Sequence, residues 1–331
     1  MTGRRPQDRT GERLVNLEGV TSVAVTEADS ALVLELVNTI QPSIPWTAEY
    51  LRWQFFETPA GHARLYGIKD APGRLVALYA STAQKVCVGP QSVTGRMIQD
   101  VMTHPDFRGR GYLHHLADLC LQDMKGAGEV GYTFPNEKSE KSFRRNGWDE
   151  LCAVPLRKRH CGRSPPATQM PDATPVDGDF DTTVTEIWDS SGLKVGVRRD
   201  ADFLNWRYRK PSNKYFKFLL NANEGVLILK LYQHGQQRIL HICDLLVRED
   251  RRGIISRTLE FCEQFGMLNK VDILTAWLCG EHPYAPQFDR FGLNLAAESS
   301  RFVFVFPGRV QFQDLKRPGL WHLSQGDSDV Y

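Results

Sequence analysis

The sequence predicts a mixed α/β protein made of two similar domains in tandem, each a twisted β-sheet flanked by helices. Apolar runs of strand length, such as "RLVALYAST", alternate with segments of helical spacing, such as "YLHHLADLCLQDM". Several segments of the first half recur in the same order in the second half. The length of 331 residues agrees with two domains, since a soluble domain commonly has about 150 residues.

The composition excludes several classes of protein. With 41 basic and 39 acidic residues the net charge is +2, so the basic footprint of a nucleic-acid-binding protein is absent. Seven cysteines without a C-x-x-C motif predict reduced thiols and no metal site. No leader-like or membrane-spanning apolar run occurs, so we expect a cytoplasmic protein that does not bind membranes. Nothing in the composition predicts an oligomeric state.

The internal repeat is carried by three matched segments. "EYLRWQF", which contains Trp53, corresponds to "DFLNWRY", which contains Trp206, and "FRRNGW" corresponds to "FDRFGL". Between them, the matched residues are Asp100 with Asp244, Arg108 with Arg252, and Gly109 with Gly253. The alternative is that two unrelated α/β units share common helix-end chemistry.

The clearest break in the chain is a proline-rich stretch with few large apolar residues, Arg157 to Thr183. We therefore predict a first domain over residues 1–156, a linker over 157–183, a second domain over 184–306 and a tail over 307–331. The tail contains "GLWHL" and other large apolar residues, so we expect it to pack on the protein. If it crosses the cleft between the domains, Asp327 and Asp329 would contact a substrate there.

One stretch of the first half combines glycine and arginine before a predicted helix. In "FRGRGYL", Gly109 and Gly111 can take positive φ, and Arg108 and Arg110 add positive charge. Because the first turn of a helix has unpaired N–H groups, this arrangement favours a bound diphosphate. The alternative is a simple helix cap. The stretch lacks both G-x-G-x-x-G and G-x-x-x-x-G-K-[ST], so neither a dinucleotide site nor a P-loop is indicated.

These segments together resemble the GNAT superfamily of acyl-CoA-dependent N-acyltransferases. The family signature, a strand followed by [QR]-x-x-G-x-[GA] at a helix start, reads here from Arg108 to Leu113. "NEKSEKSFRRNGW" resembles the later segment N-x-x-A-x-x-x-Y-x-x-x-G-[FW]. The resemblance covers residues 20–156.

The resemblance implies an acyl-CoA co-substrate and a set of residues that hold it. The backbone of Val101, Met102 and Thr103 would supply the donors for the oxyanion. The diphosphate and the rest of CoA would contact Arg108, Gly109, Arg110, Gly111, Tyr112, Leu113, Asn136 and Phe143. Two of these depart from the family pattern. Leu113 replaces a small residue, and Phe143 replaces a tyrosine that protonates the departing thiolate, a role that phenylalanine cannot take.

Direct attack of an amine on a thioester requires a group that removes a proton from the amine. Asp100 and His104 flank the expected oxyanion strand and are the candidates. Asp100 is equally a candidate for a structural hydrogen-bonding residue, and His104 for a turn residue before proline. Trp53 is either a core anchor or a platform for a sugar ring.

The second half resembles the same fold without its cofactor site, because the equivalents of Arg110 and Gly111 are missing and Ile254 and Ile255 occupy the turn. Tandem proteins of this layout resemble sugar N-acyltransferases of surface-polysaccharide pathways. These acylate nucleotide-linked amino sugars, such as dTDP-3-amino-3,6-dideoxyhexoses, with acetyl or 3-hydroxybutyryl groups. The alternatives are an acetyltransferase for protein lysines or small amines, and a non-catalytic acyl-CoA sensor.

Overall fold

The computed structural model describes residues 17–162, 172–296, 301–308 and 313–328. These residues form two mixed β-sheets with helices, which confirms the predicted α/β class. Each sheet is built around a long hairpin whose second strand continues beyond its parallel neighbour.

The first sheet has eight strands and comes mainly from the first half of the chain. Its strands are β1 (Val20–Val25), β2 (Arg64–Asp70), β3 (Leu75–Val88), β4 (Gln91–Thr103), β5 (Val130–Thr133), β6 (Asp149–Ala153), β9 (Val195–Val197) and β15 (Phe302–Phe306). They are arranged in the order β1-β2-β3-β4-β5-β15-β6, and β9 pairs with the far end of β3. The accompanying helices are α1 (Ser30–Ile40), α2 (Ala48–Phe55), α3 (Tyr112–Ala127) and α4 (Glu137–Arg145).

The second sheet has seven strands. These are β7 (Leu156–His160), β8 (Ala173–Pro175), β10 (Phe216–Leu220), β11 (Gly225–His234), β12 (Gln237–Val247), β13 (Ile273–Trp277) and β14 (Asn294–Leu295). Their order is β14-β7-β13-β12-β11-β10-β8. The helices are α5 (Thr183–Asp189), α6 (Ala201–Arg207), α7 (Ile255–Leu268) and α8 (Ala285–Phe291).

The two halves exchange strands, which differs from the division based on sequence. Arg157 to His160 were expected in the linker, but they lie in β7 and pair with β13 of the second sheet. Phe302–Phe306 were expected in the second domain, but they form β15 between β5 and β6 of the first sheet. The charged "RKRH" is compatible with a strand because Arg157, fully buried, donates to the carbonyls of Leu278 and Leu293.

One apolar core extends through both halves. Its buried members include Tyr132 of the first sheet, Trp188 of α5, Cys243 of the second sheet, and Trp321 and Leu323 of the tail. Every residue from 321 to 328 is buried. The segment 321–328 of the tail therefore lies inside the protein, where it contacts both halves.

Candidate active site

The two neighbouring strands β4 and β5 separate in the middle of the first sheet. Their parallel pairing ends at Ile98 with Thr133, whereas β4 continues to Thr103. The backbone N–H of His104 donates to the carbonyl of Val76 on β3, and Met102 pairs with Leu78 on the same strand. Since backbone groups alternate along a strand, Val101 and Thr103 direct their N–H groups away from β3, into the gap. The gap offers backbone donors to a carbonyl oxygen bound there.

Asp100 lies where β4 bulges, two residues past the last pair with β5. Its φ of 51° is in the left-handed region, which aspartate tolerates better than most residues. The half-buried side chain accepts a hydrogen bond from Gln54 Nε2 of α2 at 3.3 Å. The bulge thus places a carboxylate next to the gap between the strands.

The turn before α3 has the geometry expected for an anion site. Gly109 and Gly111 have φ of 78° and 87°, and α3 begins at Tyr112. Within the described residues, no backbone carbonyl accepts the amides of residues 109–113. Arg108 and Arg110 are exposed at this turn, and Arg108 Nε donates to Thr103 O at 3.2 Å, which ties the turn to the end of β4. Leu113 is half-buried at the side of the turn.

Three other predicted site residues mainly have local structural partners. His104 precedes a short 3-10 turn, and its Nδ1 accepts the N–H of Asp106 at 3.4 Å. Asn136 Oδ1 accepts the N–H of Ser139 at the start of α4. Phe143 is buried and packs edge-to-face on Trp148, away from solvent. Among these, His104 alone remains next to the gap, at the end of β4.

A pocket lies between the two halves and adjoins the gap. Its enclosed cavity is small, about 20 Å³, within a wider recess of about 300 Å³ that includes open solvent. Its floor is one face of the first sheet, and its roof is α6 and the tail. It is lined by Trp53, Gln54, Thr82, Gln84, Met97, Gln99, Tyr132, Phe203, Trp206, Arg207, Gly326, Asp327 and Ser328. Met97 and Gln99 on β4 and Tyr132 on β5 belong to the two strands that separate, so the pocket and the expected thioester position are neighbours.

Two sequence-predicted acceptor residues line this pocket, but their side chains are already engaged. Trp53 is 4% exposed and stacks on Trp206. Both carboxylate oxygens of Asp327 accept hydrogen bonds from Arg199, each at 2.8 Å. The expectation that Asp327 contacts a sugar directly therefore needs correction, because burial beside Arg199 makes it part of an internal ion pair. Asp329 lies outside the described residues.

The second half has the same strand arrangement but a different turn. The β12 and β13 pairing ends at Ile242 with Ala276, and Asp244 follows the last pair by two residues, as Asp100 does. At the turn, Gly253 does not have the positive φ of Gly109, and Ile254 and Ile255 are buried. Arg252 donates to Ser191 O at 3.0 Å instead of facing an open turn.

The environment of Asp244 also differs from that of Asp100. Burial alone would raise the pKa of Asp244, but the charge of Arg199 and hydrogen bonds from His322 and Tyr208 hold that pKa well below its usual range. Such a carboxylate is a poor base near neutral pH. The second half thus retains the strand geometry of the first half but not its open turn.

Sequence reasoning missed the amide-bearing floor of the pocket. Gln84 on β3 and Gln99 on β4 are buried polar residues, and Gln99 Nε2 donates to Thr82 Oγ1 at 2.7 Å. The signal was available in part, because Thr82 and Gln84 are two residues apart on one strand and therefore share a face of the sheet. What the sequence did not show is that α6 and the tail lie opposite this face.

No group of three or more histidine, cysteine or carboxylate side chains is close enough to hold a metal ion in the described ranges. No helix of the described ranges is both long and apolar enough to cross a bilayer.

Comparison with known proteins agrees with the fold. Residues 23–150 match the family model of the acetyltransferase (GNAT) domain. No curated protein matches the sequence. A probable N-acyltransferase from Enterococcus faecalis V583 has a similar structure, with a TM-score of 0.67 and 13% identity over 88% of this chain and 74% of that one.

Two further solved structures are similar over most of the chain. A GCN5-related N-acetyltransferase from Anabaena variabilis has a TM-score of 0.64 and 13% identity, over 86% of this chain and 72% of that one. The N-myristoyltransferase of Saccharomyces cerevisiae, with bound myristoyl-CoA, has a TM-score of 0.55 and 11% identity, over 95% of this chain and 88% of that one. At these identities the likeness concerns the fold. Residues 23–150 thus match an acetyltransferase (GNAT) domain, and this match together with the N-acyltransferase neighbours supports an N-acyltransferase.

Proposed function

We propose that this protein transfers an acyl group from coenzyme A to the amino group of a nucleotide-linked amino sugar. The observation that carries the proposal is the pocket beside the gap between β4 and β5, which presents amide and aromatic side chains together. Gln54, Gln84 and Gln99 can exchange hydrogen bonds with hydroxyl groups, and aromatic rings pack against the apolar face of a sugar ring. The pocket opens to solvent, so the nucleotide part of such a substrate would lie towards the opening.

In this reaction the chain binds CoA, stabilises the carbonyl oxygen and removes a proton from the amine. The turn from Arg108 to Leu113 holds the CoA diphosphate through backbone amides. The N–H groups of Val101 and Thr103 hold the carbonyl oxygen as negative charge develops on it. Asp100 takes a proton from the attacking amine, and the amine nitrogen forms the new bond to the carbonyl carbon as the bond to sulfur breaks. The thiolate takes its proton from water, because Phe143 has none to give.

The roof over the pocket argues against a protein substrate. A lysine on a folded protein needs an open groove, whereas α6 and the buried tail cover the face of the first sheet here. Phe143 is buried and cannot donate a proton, so the test also includes the third possibility, an acyl-CoA sensor without turnover.

The test is release of free CoA from acetyl-CoA and from 3-hydroxybutyryl-CoA in the presence of candidate amines. We expect turnover with a dTDP-3-amino-3,6-dideoxyhexose and none with the corresponding 3-hydroxy sugar nucleotide, with the amide confirmed by mass spectrometry. A lysine peptide and spermidine serve as comparison amines. Preference for either comparison amine would refute the sugar acceptor. Tight binding of CoA without turnover on any amine would establish a sensor.

A further inference from the structure

The buried end of the tail lies on the second half of the protein through a set of specific contacts. His322 donates its N–H to Val195 O at 2.7 Å, and Gln325 Nε2 donates to Thr275 Oγ1 of β13 at 3.1 Å. His322 Nε2 lies 3.3 Å from Asp244 Oδ1. The segment 321–328 therefore contacts β12 and β13 near the place where these two strands separate.

The centre of the contact is an ion triad with one cation and two carboxylates. Arg199 is fully buried, and its Nε donates to Asp244 Oδ2 at 3.0 Å. Its two terminal nitrogens donate to Asp327, each at 2.8 Å, and one of them also donates to Ser324 Oγ. Buried guanidinium and carboxylate groups in this geometry hold a fixed orientation, since any displacement leaves a charge unpaired.

Asp244 is the repeat counterpart of Asp100. Each aspartate lies two residues past the last parallel pair of its sheet, and each adjoins a shift in strand register. In the first half the neighbouring face of the sheet is a pocket, and in the second half the chain's own tail covers it. The residue that is a candidate base in one half therefore anchors the tail in the other.

The anchored tail in turn forms part of the wall of the pocket in the first half. Gly326, Asp327 and Ser328 line that pocket. Arg207 of α6, also a lining residue, donates to Gly326 O at 2.8 Å and to Ser328 O at 2.6 Å. A Cβ atom at position 326 would collide with the Tyr208 hydroxyl and lie 2.8 Å from Asp244 Oδ2. Only glycine permits this close approach of the tail to the second half.

From these contacts we propose that the second half is a receptor for the chain's own tail, and that Arg199 and Asp327 are positioning residues for the acceptor. The inference rests on the proposed function, because it assigns the pocket to the amino-sugar acceptor. The second half contributes no reacting group. The second half fixes the pocket wall at Gly326–Ser328. The distance between that wall and the side-chain amides of Gln84 and Gln99 on the first sheet determines the affinity for the acceptor.

The test compares Asp327→Asn with Asp314→Asn in the full chain. Asp314 lies in the same tail and makes an exposed ion pair with Arg317, so the control removes the same charge without disturbing the wall. With acetyl-CoA and a dTDP-3-amino-3,6-dideoxyhexose, Asp327→Asn should raise the acceptor KM about tenfold, as for loss of a charge-assisted hydrogen bond. The KM for acetyl-CoA should not change, and kcat should stay within about twofold. Asp314→Asn should match the wild type throughout.

A purely structural role for the triad predicts a different result. It would lower the Tm and reduce kcat in proportion to the folded fraction, and the acceptor KM would not move. Gly326→Ala provides a second variant that keeps every charged group but pushes the tail away from Tyr208 and Asp244. It should raise the acceptor KM and increase hydrogen exchange over residues 321–328. If the wild type acylates no amino sugar, the proposed function fails. If the wild type is active and both variants keep its acceptor KM, the role of the tail is refuted while the function stands.

Discussion

The indole rings of Trp53 and Trp206 stack on each other, and each donates its N–H to the main-chain carbonyl of the other. The ring centroids are 5.2 Å apart with 18° between the planes, and the two hydrogen bonds measure 2.7 and 2.9 Å. The two residues occupy matching places in the repeated segments, so the contact is close to two-fold symmetric. It joins α2 to α6 and closes one side of the pocket.

The reciprocal contact predicts strong coupling between the two tryptophans. Trp53→Phe and Trp206→Phe should each lower the free energy of unfolding by about 1–2 kcal/mol, because each removes one indole hydrogen bond and part of the stacked contact. In a double-mutant cycle by urea unfolding, the coupling should be about 1 kcal/mol. Trp148→Phe is the control partner, since its Nε1 has no hydrogen-bond acceptor among the described residues. Additive effects for Trp53 and Trp206 would contradict the prediction.

The diphosphate turn can be tested with two glycines at opposite ends of α3. Gly109 and Gly128 both have positive φ, at 78° and 69°, and a Cβ atom on either would meet nothing within 4 Å. Alanine should cost each variant about 1 kcal/mol of stability through backbone strain. Only Gly109→Ala should weaken acetyl-CoA binding in calorimetry, by about tenfold, because its methyl group enters the space of the diphosphate. Equal affinities for the two variants would place the diphosphate elsewhere.

Asp100→Asn should lower kcat and leave the KM for acetyl-CoA unchanged. A general base commonly contributes about 10²–10⁴-fold, and an amide of the same shape retains the contact with Gln54 without accepting a proton. Asp106→Asn is the control, an exposed carboxylate on the next turn. Loss of folding would show that Asp100 is a structural residue. Unchanged kinetics would indicate that His104 or water removes the proton.

His241 should make the protein sensitive to mild acid. Burial, with a smaller contribution from the charge of Lys230, lowers the pKa of His241 from 6.5 to about 4. Between these values the unfolded chain binds a proton that the folded protein does not. The free energy of unfolding therefore falls as the pH drops from 6.5 to 4, and His241 adds no further loss below that.

The measurement is urea unfolding at several pH values in this window. His241→Gln should flatten the pH dependence by up to about 3 kcal/mol. His234→Gln, at an exposed histidine of the same hairpin, should leave the dependence as in the wild type. A wild-type stability that is constant from pH 6.5 to 4 would be inconsistent with a neutral buried His241.

Local patterns in the sequence predicted a large part of the architecture. The matched aspartates lie at equivalent points of the two sheets, and the matched tryptophans lie on α2 and α6. The two glycines before α3 have the positive φ that the turn requires. The assignment of the surrounding residues to acyl-CoA and to proton transfer stays a prediction.

The pocket and the buried ion pair of Asp327 could not be predicted in the same way. Gln99 and Ser328 line one cavity, yet no periodicity relates residues so far apart in the chain. An aspartate near the end of the chain looks like an exposed polar group, and only the buried Arg199 opposite it reveals an ion pair. The sheets to which β7 and β15 belong could not be predicted either. An apolar run such as Phe302–Phe306 indicates a strand but not its sheet, and the charged β7 shows no hydrophobic alternation.

The exchange of β7 and β15 has a consequence for how the protein is made. A ribosome that has released residues 17–153 has produced β1 to β6, but the place between β5 and β6 is still vacant. That place is filled only when Phe302–Phe306 emerge, long after β6 has been synthesised. The first half must therefore wait as an incomplete sheet with exposed edges, which favours pairing with other chains. Cutting the gene between the halves would leave both products with a missing strand, so the halves are expected to be soluble together and to aggregate apart.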